Sequence, residues 1–198
     1  MSLEFIKPQL ATSVDHPPPR PGWIHEVKHD GYRLQIHVRA GRVRLFTMNG
    51  ADWSKRYPLL VQDAARIEGS SIFDAEVVWL GSDGVANFET LHSRVNDARA
   101  TALAFDLLMA DGDDLRRRTY VERKAALRKL LRGERGIQYV EHAVEHGDEL
   151  FTAVCKLGLE GIVSKKLDST YRSGPSKAWI KVKNPNAPAA TRAEDGTF

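Results

Sequence analysis

Residues 24–46 alternate between apolar and polar side chains, and two short turn signals interrupt the alternation. Between residues 33 and 38 an apolar side chain recurs at every second position, which is the period of a half-buried strand. Asp30-Gly31 and Ala40-Gly41 have the composition of tight hairpin turns. The pattern predicts an antiparallel meander with strands at residues 24–28, 33–38 and 43–46, and it puts Lys28 at the end of the first strand.

The rest of the chain mixes further strand patterns with a few helix patterns. Thr119 and Glu122 have the spacing of a capping box, which predicts that a helix begins there and ends near Gly133. Two other helices are predicted at residues 58–67 and 147–157. Strands are predicted at residues 71–80, 103–109, 162–165 and 179–183.

Composition favours a globular protein that works in a reducing compartment. The chain has 198 residues, 42% of them apolar, and a single cysteine, so that no internal disulfide can form. No apolar run reaches the length of a membrane span, and we expect a cytoplasmic protein without a membrane partner. The expected organisation is an extended, proline-rich arm at residues 1–22, a globular domain at 23–184 and a flexible tail at 185–198. A packed strand that leads into the domain is the more ordinary reading of the arm.

A lysine motif is followed by four further motifs in a set order. The run from Lys28 to Arg33 reads K-x-D-G-x-R, and on its own it would be a weak signal. The motifs that follow are Asp74-Ala75-Glu76, Phe105-Asp106, Glu160-Gly161 with Lys165, and Lys181-Val182-Lys183. Lys181 and Lys183 leave the same face of a strand, where two ammonium groups repel each other unless an anion lies between them. A triphosphate suits that position.

This ordered set resembles the nucleotidyltransferase superfamily that forms covalent lysine–nucleotide intermediates, which contains ATP-dependent DNA ligases, RNA ligases and mRNA capping enzymes. It is most similar to the ligase domain of bacterial ATP-dependent DNA ligases of the end-joining type, over residues 5–184. The resemblance implies an α+β fold in which two antiparallel sheets pack face to face, helices lie outside and a nucleotide cleft lies between the sheets.

The resemblance also implies a three-step reaction. Lys28 takes AMP from ATP, the AMP moves to a 5′-phosphate on nicked double-stranded DNA, and a 3′-hydroxyl displaces it. The implied partners are the nicked duplex and end-joining repair proteins, and the implied location is the nucleoid. The implied cofactor is Mg²⁺ or Mn²⁺, held by Glu160 and Glu76. DNA contacts are expected from Arg33, Lys166 and Arg172.

The remaining roles implied by the resemblance concern ATP. Glu26 would bind the adenine amino group, Phe105 would stack on the adenine ring, and Glu76 would bind the ribose. Arg33 would contact the ribose or the nick phosphate. The phosphate partners would be Lys165, Lys181 and Lys183.

Each of these assignments has a structural alternative. Lys28 alone would be read as a surface lysine on a hairpin, and Glu26 as a charge on an edge strand. Phe105 would be strand core, because Leu103 and Leu107 are expected to share its face. The basic residues between Arg116 and Arg135 are read as a solvated helix face, whereas those between Lys165 and Lys183 are read as phosphate partners.

The chain departs from the family pattern at three places. Met48 replaces an arginine that grips the nick phosphate, and Ala75 replaces a glycine, which is acceptable only if the backbone φ there is negative. Some fifteen residues follow Lys183, too few for the OB-fold domain of complete ligases. We therefore expect a minimal core with reduced ligase activity. The alternatives are a non-enzymatic nick- or nucleotide-binding accessory, an RNA ligase and a guanylyltransferase.

Overall fold

A computed structural model of the protein describes residues 4–95, 97–131 and 136–188. The first half contains β1 (Gln9–Ser13), β2 (Trp23–Lys28), β3 (Tyr32–Arg39), β4 (Arg42–Thr47), α1 (Pro58–Ala64), β5 (Ser70–Val78) and α2 (Phe88–His92). The second half contains β6 (Thr101–Ala110), β7 (Asp113–Asp114), α3 (Tyr120–Leu130), β8 (Ile137–Tyr139), β9 (Ala143–Val144), α4 (Gly147–Lys156), β10 (Gly161–Lys166) and β11 (Gly174–Lys183). Short 3₁₀ helices lie at Asp97–Arg99 and Leu115–Arg117.

The strands form two sheets. The first sheet has the order β1-β11-β10-β2-β9, and the second has the order β4-β3-β5-β6-β7, with β8 paired to β6. Neighbouring strands run antiparallel except for two edge pairs, β1 with β11 and β8 with β6. The expected α+β fold of two antiparallel sheets with helices is therefore confirmed.

Apolar clusters fill the space between the sheets and cover their outer faces. Ile24 of the first sheet meets Ile72 and Leu108 of the second in a cluster that also contains Trp179. On the far side of the second sheet, alternate residues of β3 pack with α1 and with Leu127 of α3. On the far side of the first sheet, α4 packs on β10 and β11. Each sheet therefore has an outer face that is covered by helices and an inner face that is directed toward the other sheet.

The predicted meander is wrong at its first strand. β2 lies in the first sheet and pairs with β10 and β9, whereas β3 and β4 lie in the second sheet. Asp30-Gly31 therefore carries the chain from one sheet to the other and does not close a hairpin. A Cβ on Gly31 would lie 2.2 Å from the carbonyl oxygen of Val77, so the glycine allows a close backbone approach. Local alternation could not show this, because it does not specify the partner strand.

Other local predictions agree with the structure or lie outside the described residues. The capping box at Thr119 and Glu122 is formed, and Ala75 does not have a positive φ. Part of the predicted arm forms β1, which is bonded into the first sheet. The predicted helix end at Gly133, the basic residues Arg132 and Arg135, and positions 189–198 of the predicted tail lie outside the described residues.

Within the described parts of the chain, none of the helices has both the length and the apolar character of a transmembrane segment.

Candidate active site

A cavity of about 450 Å³ opens between the two sheets, and side chains from both sheets line it. The first sheet contributes Glu26, Lys28, Lys165 and Lys181, and the second contributes Arg33, Glu76 and Phe105. A second cavity of about 500 Å³ adjoins it, and Lys28 and His29 line both. Glu160 lines the second cavity. Of the predicted site residues, Lys166, Arg172 and Lys183 line neither of these two cavities.

Strand register arranges the charged residues of the first sheet in rows. Gly161 of β10 lies between Lys28 of β2 and Lys183 of β11, and Val163 lies between Glu26 and Lys181. Because side chains alternate along a strand, these charged residues share one face of the sheet. The opposite face carries Ile162, which packs against α4. Glu160 precedes Gly161 in the chain and joins this region. Distant segments thus bring together two acidic motif residues, Glu26 and Glu160, and three basic ones, Lys28, Lys181 and Lys183.

Lys28 forms an ion pair with Glu160. Its ammonium donates a hydrogen bond to Glu160 Oε1, and the lysine side chain is 23% exposed. The other carboxylate oxygen, Oε2, is buried and has no hydrogen-bond partner among the described residues. Burial raises the pKa of Glu160, although the neighbouring Lys28 opposes the shift. One oxygen of this carboxylate is therefore available to a further ligand.

Glu76 is a second carboxylate on the cleft wall, placed across from Arg33 in the pairing of β5 with β3. Burial raises its pKa to about 7, against the opposing effect of Lys28 and Arg33. A bound cation would favour its ionised form. Glu160 and Glu76 together supply oxygen ligands of the kind that Mg²⁺ takes alongside waters and phosphate oxygens. No cluster of three or more acidic, histidine or cysteine ligands occurs within the described residues, so phosphates and water would have to complete such a site.

Glu26 is the centre of a buried hydrogen-bonded network. Its Oε1 contacts the ammonium of Lys124 at 2.6 Å and accepts from the Tyr120 hydroxyl at 2.8 Å, while its Oε2 accepts from Lys165 at 2.6 Å. Burial alone would raise the pKa of Glu26, but Lys124 and Lys165 lower it to about 2. Glu26 is therefore held as a carboxylate, and it is not the solvated edge charge of the alternative reading.

Lys165 is engaged with Glu26 rather than free in the cleft. Its ammonium also lies 4.1 Å from the centre of the Phe105 ring and 4.4 Å from that of Trp179. Burial lowers its pKa to about 8, although Glu26 opposes the shift. A contact between Lys165 and phosphate stays a prediction, and it would require the ammonium to leave Glu26.

A β-bulge directs Phe105 toward the cleft. In the pairing of β5 with β6, Asp74 lies opposite Asp106 and Ala75 lies opposite Ala104, so that no residue of β5 lies opposite Phe105. Phe105 contacts the cluster between the sheets, whereas Leu107 belongs to the cluster on the far side of the second sheet. The expectation that Leu107 shares the face of Phe105 is wrong, because the bulge breaks the two-residue period.

The other predicted phosphate and DNA ligands differ in how they are held. Arg33 is anchored by Asp74 Oδ2 and by the carbonyl oxygen of Gln9, both at 2.6 Å. Lys181 is half-buried, and burial together with the nearby Lys28 and Lys183 lowers its pKa. The exposed residues of this set are Lys166, Arg172 and Lys183.

The prediction of a solvated basic helix is wrong for two residues of α3. Arg123 is fully buried in a bidentate ion pair with Asp106, at 2.8 and 2.9 Å, and Lys124 is buried beside Glu26. Both lie three or four residues from Leu127 or Tyr120, on the buried face of the helix. This spacing from apolar residues indicates a buried position on the helix, whereas the high charge of the stretch indicated an exposed one.

Comparison with known proteins identifies the family. A model described as the ATP dependent DNA ligase domain matches residues 8–183. The multifunctional non-homologous end joining protein LigD of Pseudomonas aeruginosa is 40% identical over 186 residues, which span 91% of this chain and 22% of that protein. The LigD of Mycobacterium tuberculosis H37Rv is 35% identical over 168 residues, which span 83% of this chain and 22% of that protein.

Solved structures agree with this result. A mycobacterial DNA ligase D complexed with ATP and MES superposes with a TM-score of 0.80 at 33% identity, covering 89% of this chain and 59% of that one. The ligase domain of M. tuberculosis LigD has the same TM-score and identity. The chain spans 22% of the length of each of the two LigD proteins named above. It belongs to the ATP-dependent DNA ligase domain family.

Proposed function

We propose that this chain is the catalytic core of an ATP-dependent DNA ligase that adenylates itself on Lys28 and passes AMP to a 5′-phosphate at a nick. The observation that carries the proposal is the position of Lys28. Its ammonium lies on the cleft wall against Glu160, in a row with Gly161 and Lys183. A nucleotide in the cleft would meet an amine, carboxylates and further cations at one end.

In the first step the Lys28 nitrogen forms a bond to the α-phosphorus of ATP. The bond from that phosphorus to the bridging oxygen breaks, and pyrophosphate leaves with the electron pair. An ammonium has no lone pair, so Lys28 must first lose a proton. Glu160 already accepts a hydrogen bond from that ammonium, and burial raises its pKa, so it is suited to receive the proton.

Residues along the cleft would bind the rest of ATP. Glu26 would accept a hydrogen bond from the adenine amino group, and Phe105 would stack on the base. Glu76 would accept from a ribose hydroxyl. Lys181 and Lys183 would neutralise phosphate charge, which stabilises the developing charge on the leaving pyrophosphate.

Glu160 and Glu76 would hold Mg²⁺ or Mn²⁺. The buried and unpartnered Oε2 of Glu160 fits such a ligand set. Bound there, the ion would supply positive charge to the phosphate oxygens.

Two further transfers complete the reaction. A 5′-phosphate oxygen of nicked DNA forms a bond to the AMP phosphorus while the bond to Lys28 nitrogen breaks. The 3′-hydroxyl oxygen then attacks the 5′-phosphorus, and AMP leaves. Arg33, Lys166 and Arg172 would contact the DNA backbone. The end-joining names of the LigD relatives support end-joining repair proteins as partners. The reaction would take place on DNA at the nucleoid, in the cytoplasm.

Nick sealing tests the whole proposal. A labelled duplex with one nick is incubated with the protein and Mg²⁺, with ATP or GTP, and with DNA or RNA carrying the 5′-phosphate. We expect joining of the DNA nick with ATP, and joining of a pre-adenylated nick without ATP. Preference for GTP or RNA would favour another enzyme of the superfamily. Nick binding without any joined product would favour a non-enzymatic accessory, a reading that the uncharged, 47% exposed Met48 at the cleft supports.

A further inference from the structure

Lys124 is a buried lysine of α3 that lies outside every sequence motif. Its ammonium contacts Glu26 Oε1 at 2.6 Å, donates to the carbonyl oxygen of Val140 at 2.7 Å and lies 4.3 Å from the centre of the Tyr139 ring. An ammonium has three N–H groups, and these three partners account for them. Lys124 therefore acts on Glu26 and does not line the cleft itself.

The contacts of Glu26 leave one accepting position open. A carboxylate has about four positions that accept hydrogen bonds, two on each oxygen. Lys124 and Tyr120 occupy both positions on Oε1, and Lys165 occupies one on Oε2. Because Glu26 lines the cleft beside Phe105, the remaining position of Oε2 suits a hydrogen-bond donor on a stacked base.

We propose that Lys124 is a positioning residue for base selection, which fixes Glu26 as an oriented acceptor so that the cleft takes a purine with an amino group at C6. The inference rests on the proposed function, in which Glu26 meets adenine. Adenine presents an amino donor at this position, and guanine presents a carbonyl acceptor. An ionised carboxylate accepts from the first and repels the second.

Removal of Lys124 would loosen Glu26 without leaving a lone buried charge. Glu26 and Lys165 would remain as a balanced pair at 2.6 Å, so the change is milder than removal of the carboxylate. Oε1 would keep only the Tyr120 hydroxyl, and the carboxylate could turn about its last torsion. The cleft would then bind purines with little regard to the group at C6.

The test measures binding of ATP and of purine riboside triphosphate, which is ATP without the 6-amino group. Titration calorimetry is carried out in a Lys28→Ala background, so that no AMP is transferred. With Lys124 present, loss of the amino group should weaken binding about tenfold or more. With Lys124→Met this ratio should fall to about twofold or less. Lys129→Met, the same change at an exposed position of α3, should keep the ratio.

An unchanged ratio in folded Lys124→Met, or an equal fall in Lys129→Met, overturns the inference. If Lys124→Met does not fold, Tyr120→Phe takes its place, because it removes the other donor to Oε1 without a change of charge. A ratio unchanged in Tyr120→Phe overturns the inference as well, as does absence of ATP binding to the Lys28→Ala chain. Normal binding ratios combined with no AMP transfer in the wild-type chain would reject the proposed function alone.

Discussion

At the scale of single residues, the site depends on carboxylates that are kept in different states by their surroundings. Two ammonium groups hold Glu26 ionised, and its pKa is lowered to about 2. Glu76 has a pKa raised to about 7 by burial, so that it stands near the midpoint of its titration at neutral pH. The first state suits a fixed hydrogen-bond acceptor, and the second suits a group that becomes fully ionised when a cation binds.

Glu26→Gln should lower the free energy of unfolding by ~3–5 kcal/mol at neutral pH, because it leaves two buried ammonium groups without their counter-ion. Urea denaturation measures the change. Glu141→Gln, which removes a surface partner of Arg128, is the control and should cost ~1 kcal/mol or less. An equally small cost for Glu26→Gln would mean that the network does not stabilise the fold.

The contribution of Glu26 to stability should also depend on pH with a defined sign. Its pKa is lower in the folded chain than the ordinary value of 4.5, so its contribution is complete above about pH 4.5 and is lost as the pH falls toward 2. The difference in unfolding free energy between wild type and Glu26→Gln should therefore shrink across that window. A difference that grew on acidification would contradict the ion-pair account.

At the scale of elements, close packing of strands around glycine sets the spacing of the charged groups. Gly161 has a φ of +143°, and a Cβ there would lie 2.1 Å from the carbonyl oxygen of Val182. Because this glycine separates Lys28 from Lys183 in the sheet, a side chain at this point would force β10 and β11 apart. The row of charges depends on that contact.

Gly161→Ala should therefore impair both stability and AMP transfer. Gly41→Ala is the control, since Gly41 also has a positive φ of +77°, but a Cβ added there would have no neighbouring atom within 4 Å. The control should cost ~1 kcal/mol of backbone strain and leave transfer unchanged. Gly161→Ala should cost more and should slow transfer at least about tenfold. Equal costs and equal rates in the two variants would show that the close approach has no role.

Some features of the strands and helices could be predicted from the sequence and others could not. The motifs and the strand periods predicted many of the residues that line the two cavities, because side-chain alternation is a local property, but Lys166, Arg172 and Lys183 line neither cavity. The sheet that contains β2 could not be read in this way, since pairing with β10 joins segments more than a hundred residues apart. The bulge at Phe105 interrupts the two-residue period of side-chain direction in β6. Arg123 and Lys124 are buried although they lie in a stretch whose high charge indicated exposure to solvent.

At the scale of the whole molecule, exposed cations beside the cleft strands should bind the DNA backbone. Lys166 continues β10 beyond Lys165, and Arg172 lies in the loop that follows. Each phosphate contact contributes about −0.9 to the slope of log affinity against log salt concentration. Lys166→Ala and Arg172→Ala should each make the slope for nicked duplex less negative by about 1, whatever the sequence of the duplex. Lys129→Ala on α3 should leave it unchanged, and a slope unaffected by all three changes would place the DNA elsewhere.

The measurement that tests the account most directly is the intact mass of the protein after incubation with ATP and Mg²⁺. The convergence of Lys28, Glu160 and Glu76 with Lys181 and Lys183 of β11 predicts a gain of one AMP in the wild-type chain. It predicts no gain in Lys28→Ala, and a cooperative unfolding curve would show that this variant is folded. Equal gain in Lys28→Ala, or no gain in the wild type at neutral and alkaline pH, would contradict the assignment of Lys28 as the nucleophile.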